Sequence, residues 1–468
     1  MKVTLKNIGT LKEAVIEPAR LTVFCGGNNT GKTYAMYILW TLLQRRSRHV
    51  FAVAERMAEE IKSSGSAIYP LQDFIRQHWI TLEKGIAEGL NKRLPDLFSA
   101  PPALFGDSSI TLHLNARYLI ETLPKNANAF GRSIALGAEG RLDVRLIEGE
   151  TGPAMAWTSV NVGKVPVSLL AELVSSGLIE LGLASALPGS AFLLPAERGG
   201  LNLFYPDLDA KNSALVRALK REESSPVEVF KDMMVAQYAE PIDSYIQFLK
   251  RVPRIPKNGN PFHDQALLLQ KDITRVRYKV SKDGVITAKP YRSEAELGIH
   301  LTSSTVKSFY GLWAWLELQA APGDCLMIDE PELNLHPDNQ RLIARLLARL
   351  VNRGMRVVIS THSDYIVREL NNMIMLATEF PDRSEVEKRF GYDETGAERL
   401  RPEDVAAYHF TDKIVKQLDI SREFGMEVES MDTAINGLNE SNSAIYFALQ
   451  DILYPVDVPE AVATEGDR

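Results

Sequence analysis

Cysteine is almost absent from this 468-residue chain, which has only Cys25 and Cys325. Each sits in an apolar run and the two are far apart, so no CxxC pair exists for a zinc or redox motif, and a reducing compartment is the natural reading. Long apolar runs are also missing. Stretches such as Ala35–Leu43 fall well short of the roughly 20 residues a bilayer span needs. The start, MKVTLKNIGT, has no apolar core of a secretory signal. Basic excess is lacking too: Lys plus Arg is 53 against 60 Asp plus Glu, a formal net charge of −7. That balance speaks against a chain built to coat nucleic acid, although it leaves room for a local basic stripe. Heptads and internal repeats are absent, as are low-complexity tracts apart from the polar tail Ala461–Arg468. Prolines and glycines interrupt the helical segments between residues 50 and 260, which excludes coiled-coil arms there. These absences leave a cytoplasmic globular protein with no membrane partner, of about three domain-equivalents in length.

The patterning that is present begins with strands at Lys2–Ile8, Ala14–Ile16 and Leu21–Cys25, then a glycine loop and an apolar helix, Tyr34–Leu43. That helix ends in the basic run Gln44–His49, which suits a helix C-terminus and offers Arg45, Arg46 and Arg48 as nucleic-acid contacts. Helical periodicity follows over Val50–Ser63 and Leu71–Gly89, closed by Ser99-Ala100-Pro101-Pro102. Strands are expected at Ser109–Leu114 and Arg141–Glu148, and a helix at Val167–Leu183. Ala191–Phe204 reads as a buried strand followed by a polar turn, and residues 205–260 as mainly helical. Asp283-Gly284 between alternating segments signals a hairpin. The remainder alternates helix and apolar strand in an α/β pattern.

Three motifs carry chemistry. Gly26-Gly27-Asn28-Asn29-Thr30-Gly31-Lys32-Thr33 is a full G-x-x-x-x-G-K-T between an apolar strand and an apolar helix, the context of a P-loop. Its backbone N–H groups and the helix start would cradle phosphates. Lys32 would reach the β- and γ-phosphates and the Thr33 hydroxyl would ligate Mg²⁺. Next, Cys325–Ile328 is an apolar strand that presents Asp329 and Glu330 at its tip, where open α/β sheets place ligands. Asp329 would hold Mg²⁺, and Glu330 would act as general base toward the attacking water. Last, the strand Arg356–Ser360 leads to His362, which fits a γ-phosphate-sensing histidine. The cofactors are therefore ATP and Mg²⁺, and the activity is hydrolysis of ATP to ADP and phosphate.

The combination of the P-loop, IDEPELNLHPDNQ and ISTHSDYIV resembles the ABC-type ATPase heads of the Rad50/SMC/RecF/OLD group. Leu335-His336-Pro337 after DEPE is similar to the RecF- and OLD-like branch, where this segment occupies the D-loop. The resemblance implies a homo-oligomer closed through ATP-sandwiched heads, and a signature segment between the P-loop and Asp329-Glu330. The candidate is Leu301–Ser308. There Ser303 and Ser304 either cap the helix that follows or donate to the γ-phosphate across the dimer. A glycine usual in the family is replaced by Thr305. No Q-loop glutamine is assigned among Gln72, Gln77 and Gln237. The chain lacks LSGGQ, a zinc hook, and the D-x-D of a fused TOPRIM nuclease.

LLPAERGGL and the tail segment Met431–Asn439 further resemble AAA-15/AAA-21-type ATPases of bacterial anti-phage systems, such as the ATPase subunits of PARIS systems. That likeness implies a nucleotide-gated scaffold and sensor for a separate effector, such as a TOPRIM nuclease subunit. Arg198 in PAERGG contacts nucleotide, braces the lobe interface, or pairs with Glu197 or another acid. The alternative function is a RecF-like repair ATPase that binds duplex DNA through Arg45, Arg46, Arg48 and Lys250–Lys257. The expected fold class is α/β: an ABC-type P-loop ATPase head with an inserted α+β/helical region and a C-terminal cap, without coiled-coil arms. The expected boundaries are 1–48 for the P-loop lobe, 49–189 for the insertion, 190–375 for the lobe with signature, Walker B and switch histidine, and 376–468 for the cap.

Overall fold

A computed structural model of the chain describes residues 1–44, 51–123, 130–137, 140–150, 152–183, 190–205, 238–256, 259–412 and 414–453. Arg45, Arg46, Arg48, Gln237, Lys257 and the tail Ala461–Arg468 lie outside the described residues. The chain forms two compact units, Met1–Met426 and Glu427–Arg468.

In the first unit, β1 (Lys2–Ile8) pairs antiparallel with β2 (Leu11–Ile16). Its other edge takes β5 (Ser109–His113), which comes from about a hundred residues later. The centre of the unit is a six-stranded sheet. Its order is β16 (Val415–Leu418), β15 (Val405–Phe410), β3 (Leu21–Gly26), β14 (Arg356–Thr361), β13 (Cys325–Asp329) and β9 (Ala191–Leu194). All neighbours are parallel except β15 and β16. β3, β13 and β9 are buried at every position, as parallel strands covered on both faces must be, and so they read in the sequence as apolar runs.

Helix α1 (Lys32–Leu43) is buried at ten of its positions, Trp40 and Ile38 among them. It lies between the central sheet and the helix α3 (Leu71–Phe98), which leaves it no solvent face and explains why its sequence is apolar nearly all round. α3 runs nine residues past the expected end at Gly89 and takes Pro95 inside it. Leu90, Leu94 and Leu97 continue its buried stripe, and that burial outweighs the helix-breaking residues.

The insertion carries a four-stranded antiparallel sheet. It is built from β4 (Ser66–Pro70), β6 (Gly131–Leu136), β7 (Gly140–Gly149) and β8 (Gly152–Val160), in the order β4-β8-β7-β6. Only β7 is visible in the sequence, because its alternating burial gives a period of two. The hairpin at Asp283-Gly284 joins β10 (Val276–Val280) to β11 (Ile286–Pro290). A glycine with φ 83° at residue 284 makes its turn. Past residue 376 the chain supplies β15 to the central sheet, directly beside β3.

The second unit holds the helix Glu429–Leu453, along which Leu438, Ile445, Tyr446, Phe447 and Leu449 are exposed. Among the described residues no helix is long and apolar enough to cross a membrane.

Candidate nucleotide site

Strand register assembles the site. Asp329 of β13 lies beside Ser360 of β14, and Thr361 of β14 lies beside Cys25 of β3. The P-loop, the acidic strand tip and the histidine strand therefore end side by side, although they come from three distant parts of the chain. β15 closes the other side, with Phe410 beside Gly26.

Gly26 is fixed by that neighbour. Its φ is 131°, and a Cβ placed there would stand 2.1 Å from the Phe410 carbonyl oxygen. Gly27 has nothing nearer than 3.7 Å in the same position. Gly26→Ala is therefore expected to lower stability by about 1–3 kcal/mol or more through left-handed strain and a main-chain collision. Gly27→Ala should leave the unfolding midpoint in urea unchanged. Equal midpoints for the two variants would refute the role of β15 in shaping the loop. The loop continues through Asn28, Asn29 with φ 60° and Thr30, whose hydroxyl donates to the Gly27 carbonyl at 2.9 Å. Gly31, at φ 96°, turns the chain into α1, which starts at Lys32 rather than at Tyr34.

Lys32 is buried and donates from Nζ to the carbonyls of Gly26 and Gly27 at 3.0 and 2.7 Å. Burial lowers its pKa, opposed by the charges of Asp329, Glu330 and Glu332. The Thr33 hydroxyl donates to Asp329 Oδ2 at 2.9 Å. Two hard oxygen donors thus converge beside the loop, a set suited to Mg²⁺ completed by phosphate and water oxygens. The other Asp329 oxygen, Oδ1, accepts from the Ser360 hydroxyl. Among the described residues no group of three or more His, Cys, Asp or Glu stands ready to hold a metal by itself.

Glu330 adopts φ 50°, a conformation uncommon for a residue with a side chain. Its carboxylate lies 3.6 Å from His362 Nε2. Burial, and then the charges of Asp329 and Glu332, raise its pKa above the usual carboxylate range. Burial and then the nearby Lys32 lower that of His362, with the charge of Asp329 opposing.

Two residues that carry this geometry were given no firm role by sequence. Glu332, the second glutamate of DEPE, accepts from the Thr361 hydroxyl at 2.9 Å and from the His362 N–H at 2.6 Å. It ties the acidic tip to the histidine turn. Arg198 is fully buried and pairs with no acid among the described residues: it donates to the main-chain carbonyls of Pro195 at 3.2 Å, Asp329 at 2.7 Å and Glu330 at 2.8 Å. The one cue in the sequence was an arginine four residues beyond a buried strand.

The candidate signature sits at the start of a 15-residue helix, Ser304–Leu318, which begins five residues before Phe309. Ser303 is its N-cap and accepts from the Val306 N–H at 3.3 Å. Ser303 and Ser304 are both exposed. Thr305 donates to the Asn334 carbonyl at 2.5 Å and Asn334 donates to the Ser308 hydroxyl at 2.9 Å, which binds the signature to the loop after Glu330. Gln72 and Gln77 are engaged with Arg76 and Tyr69. Burial pushes the thiols of Cys25 and Cys325 up to about 12, so neither is a nucleophile.

Residues 203–368 match a family model described as AAA domain, putative AbiEii toxin, Type IV TA system. The match takes in the signature, the acidic strand tip and His362, and lies wholly downstream of the P-loop. No curated protein matches the chain. Among solved structures, the Smc head domain with an extended coiled coil bound to the C-terminal domain of ScpA, from Pyrococcus furiosus, is 13% identical. That comparison covers 94% of this chain and 98% of the other at a TM-score of 0.32. The SMC head domain from Thermotoga maritima is 12% identical over 90% of this chain and 98% of the other, at a TM-score of 0.31.

Proposed function

We propose that the chain is an ABC-type ATPase that binds ATP and Mg²⁺ at its P-loop and closes head to head on a second copy. In that state it holds a separate effector protein, of nuclease type, in bacterial anti-phage defence. The observation that carries the ATPase reading is the convergence of Lys32, Thr33, Asp329, Glu330 and His362 at the tips of three adjacent strands. The sequence resemblance to anti-phage ATPases supports the effector, together with a family model whose description names a toxin of a Type IV system.

In the mechanism, Lys32 releases the Gly26 and Gly27 carbonyls and turns to the phosphates, while Gly26–Thr33 wrap them. Thr33 and Asp329 would hold Mg²⁺, which when bound would supply charge neutralisation to the phosphates. Glu330 takes a proton from water, the water oxygen bonds to the γ-phosphorus, and the bond to the β-γ bridging oxygen breaks. The products are ADP and inorganic phosphate. His362 donates from its ring N–H to a γ-phosphate oxygen. Ser303 and Ser304 complete the site on the partner copy, where an exposed helix start is apt for an anion.

Ser304→Ala is expected to slow turnover without weakening ATP binding to a single subunit. Ser303→Ala should do the same and also lose about 0.5–2 kcal/mol of stability, because it removes the N-cap. Turnover per subunit should rise with protein concentration in the wild type. Unchanged turnover in both variants would place the signature elsewhere. The partner is tested by affinity purification of Glu330→Gln from its native host with neighbouring genes intact. A co-purifying nuclease supports the effector reading. Duplex DNA alone, with an affinity that falls steeply with salt, supports the repair reading instead.

A further inference from the structure

Arg198 has no place in the mechanism above, yet it is the most deeply buried charge near the site. Its guanidinium lies 5.6 Å from the centre of the Phe309 ring on the signature helix, and its Nε has no hydrogen-bond partner among the described residues. Burial lowers its pKa, with the Tyr245 hydroxyl and the charges of Asp329, Glu332 and Glu330 opposing. An arginine kept only for packing would not need to desolvate a cation and leave one donor unpaired. What it does is grip the backbone of the strand tip. The fork spans the carbonyls of Asp329 and Glu330 at 2.7 and 2.8 Å. On the opposite side, the Glu330 N–H donates to the Ser360 carbonyl at 3.1 Å. The peptide units flanking Glu330 are thereby clamped from both sides at the one residue of this tip with a left-handed backbone, φ 50°.

The same helical turn reaches the signature. Residues 198–205 are helical, so Arg198 and Asn202 share a face. The Asn202 side-chain amide donates to the Lys307 carbonyl at 2.7 Å, and its oxygen accepts from the buried Tyr245 hydroxyl at 2.7 Å. One turn therefore holds the start of the signature helix with Asn202 and the base with Arg198.

We propose that Arg198 is a positioning residue for ATP hydrolysis: it holds the backbone of Glu330 in the left-handed conformation that aims its carboxylate at the attacking water, and with Asn202 it links that conformation to the seating of the signature helix. This inference rests on the assignment of Glu330 as base. Lysine at residue 198 keeps the charge and reaches only one of the two carbonyls, because it lacks the planar fork.

The test is a double-mutant cycle on the full chain with ATP and Mg²⁺, reading kcat, ATP affinity and the thermal midpoint. Arg198→Lys is expected to lower kcat by about 10- to 100-fold, the scale of a misplaced catalytic group, with ATP affinity unchanged. In a Glu330→Gln background, Arg198→Lys should bring no further loss, because it acts only through that residue. The same fold-loss in both backgrounds, or a lower ATP affinity that accounts for the effect, would overturn the proposal. If Arg198→Lys does not fold, Phe309→Leu, which removes the ring beside the guanidinium, is read in the same cycle. A loss confined to the Glu330 background supports the proposal, and a loss shared by both backgrounds, or no loss, overturns it. Failure of the parent reading looks different: Glu330→Gln alone would then turn over ATP at the wild-type rate.

Discussion

Glu330→Gln is expected to bind ATP as tightly as the wild type and to hydrolyse it about 10²–10⁴-fold more slowly, the usual range for loss of a general base. The substitution is nearly isosteric. The hydrogen bonds that fix residue 330 run through its main chain, to Ser360 on one side and from Arg198 on the other, so they survive it. What is lost is the capacity to accept a proton from water, and the ATP-bound oligomer should accumulate. Single-turnover hydrolysis measures the chemical step, and size-exclusion chromatography with ATP and Mg²⁺ measures the trapped assembly. Equal hydrolysis rates in variant and wild type would remove Glu330 from the role of base.

The pH dependence follows with a definite sign. The base must be ionised to act, and burial together with Asp329 and Glu332 raises its pKa. The acid limb of kcat/KM for the wild type should therefore lie above the ordinary glutamate value of about 4.3. Activity is present above that limb and lost as pH falls through it. A limb at or below the ordinary value would mean that a different group titrates.

Lys32→Ala is expected to weaken ATP binding by at least about 10- to 100-fold, since charge-assisted hydrogen bonds contribute roughly 1.5–3 kcal/mol. Two effects combine. The direct one is loss of the cation that faces the β- and γ-phosphates. The other is internal: without nucleotide, Nζ bridges the carbonyls of Gly26 and Gly27 and so keeps the loop in its open wrap. Alanine removes that bridge and leaves the Gly27 carbonyl with the Thr30 hydroxyl as donor. Equilibrium binding of a fluorescent ATP analogue measures the first effect, and the thermal midpoint without ligand measures the second. Unaltered affinity would show that the phosphates sit elsewhere.

The parts of this site that could be read in the sequence share a physical property. The strands before Gly26, Glu330 and His362 are parallel and buried on both faces, so each appears as an uninterrupted apolar run ending in a polar motif. The hairpin at Asp283-Gly284 was legible because its turn chemistry is local. β4, β6 and β8 were not, since β4 and β6 are short or largely exposed and β8 alternates imperfectly. β15 is apolar too, yet its place beside β3 depends on a pairing between residues nearly four hundred positions apart, which no local pattern encodes. Arg198 and Glu332 escaped for a related reason. Arg198 works through main-chain carbonyls and Glu332 in part through the His362 N–H, and a carbonyl or N–H leaves no mark on the identity of the residue that carries it. The capping role of Ser303, in contrast, was visible as a serine ahead of an apolar helix.

The position of β3 also bears on how the chain comes to be. Both neighbours of the P-loop strand, β14 and β15, are made more than three hundred residues after it. While the polypeptide emerges from the ribosome, Gly26 has no Phe410 carbonyl to lie against and Asp329 has no Thr33 partner until those residues have been synthesised. ATP therefore finds a finished site only on a chain complete to about Phe410. Such long-range closure is the slow, entropically expensive kind. Nascent and prematurely terminated chains would lack a finished nucleotide site, so that the order of synthesis itself would keep incomplete copies out of the ATP-dependent association proposed above.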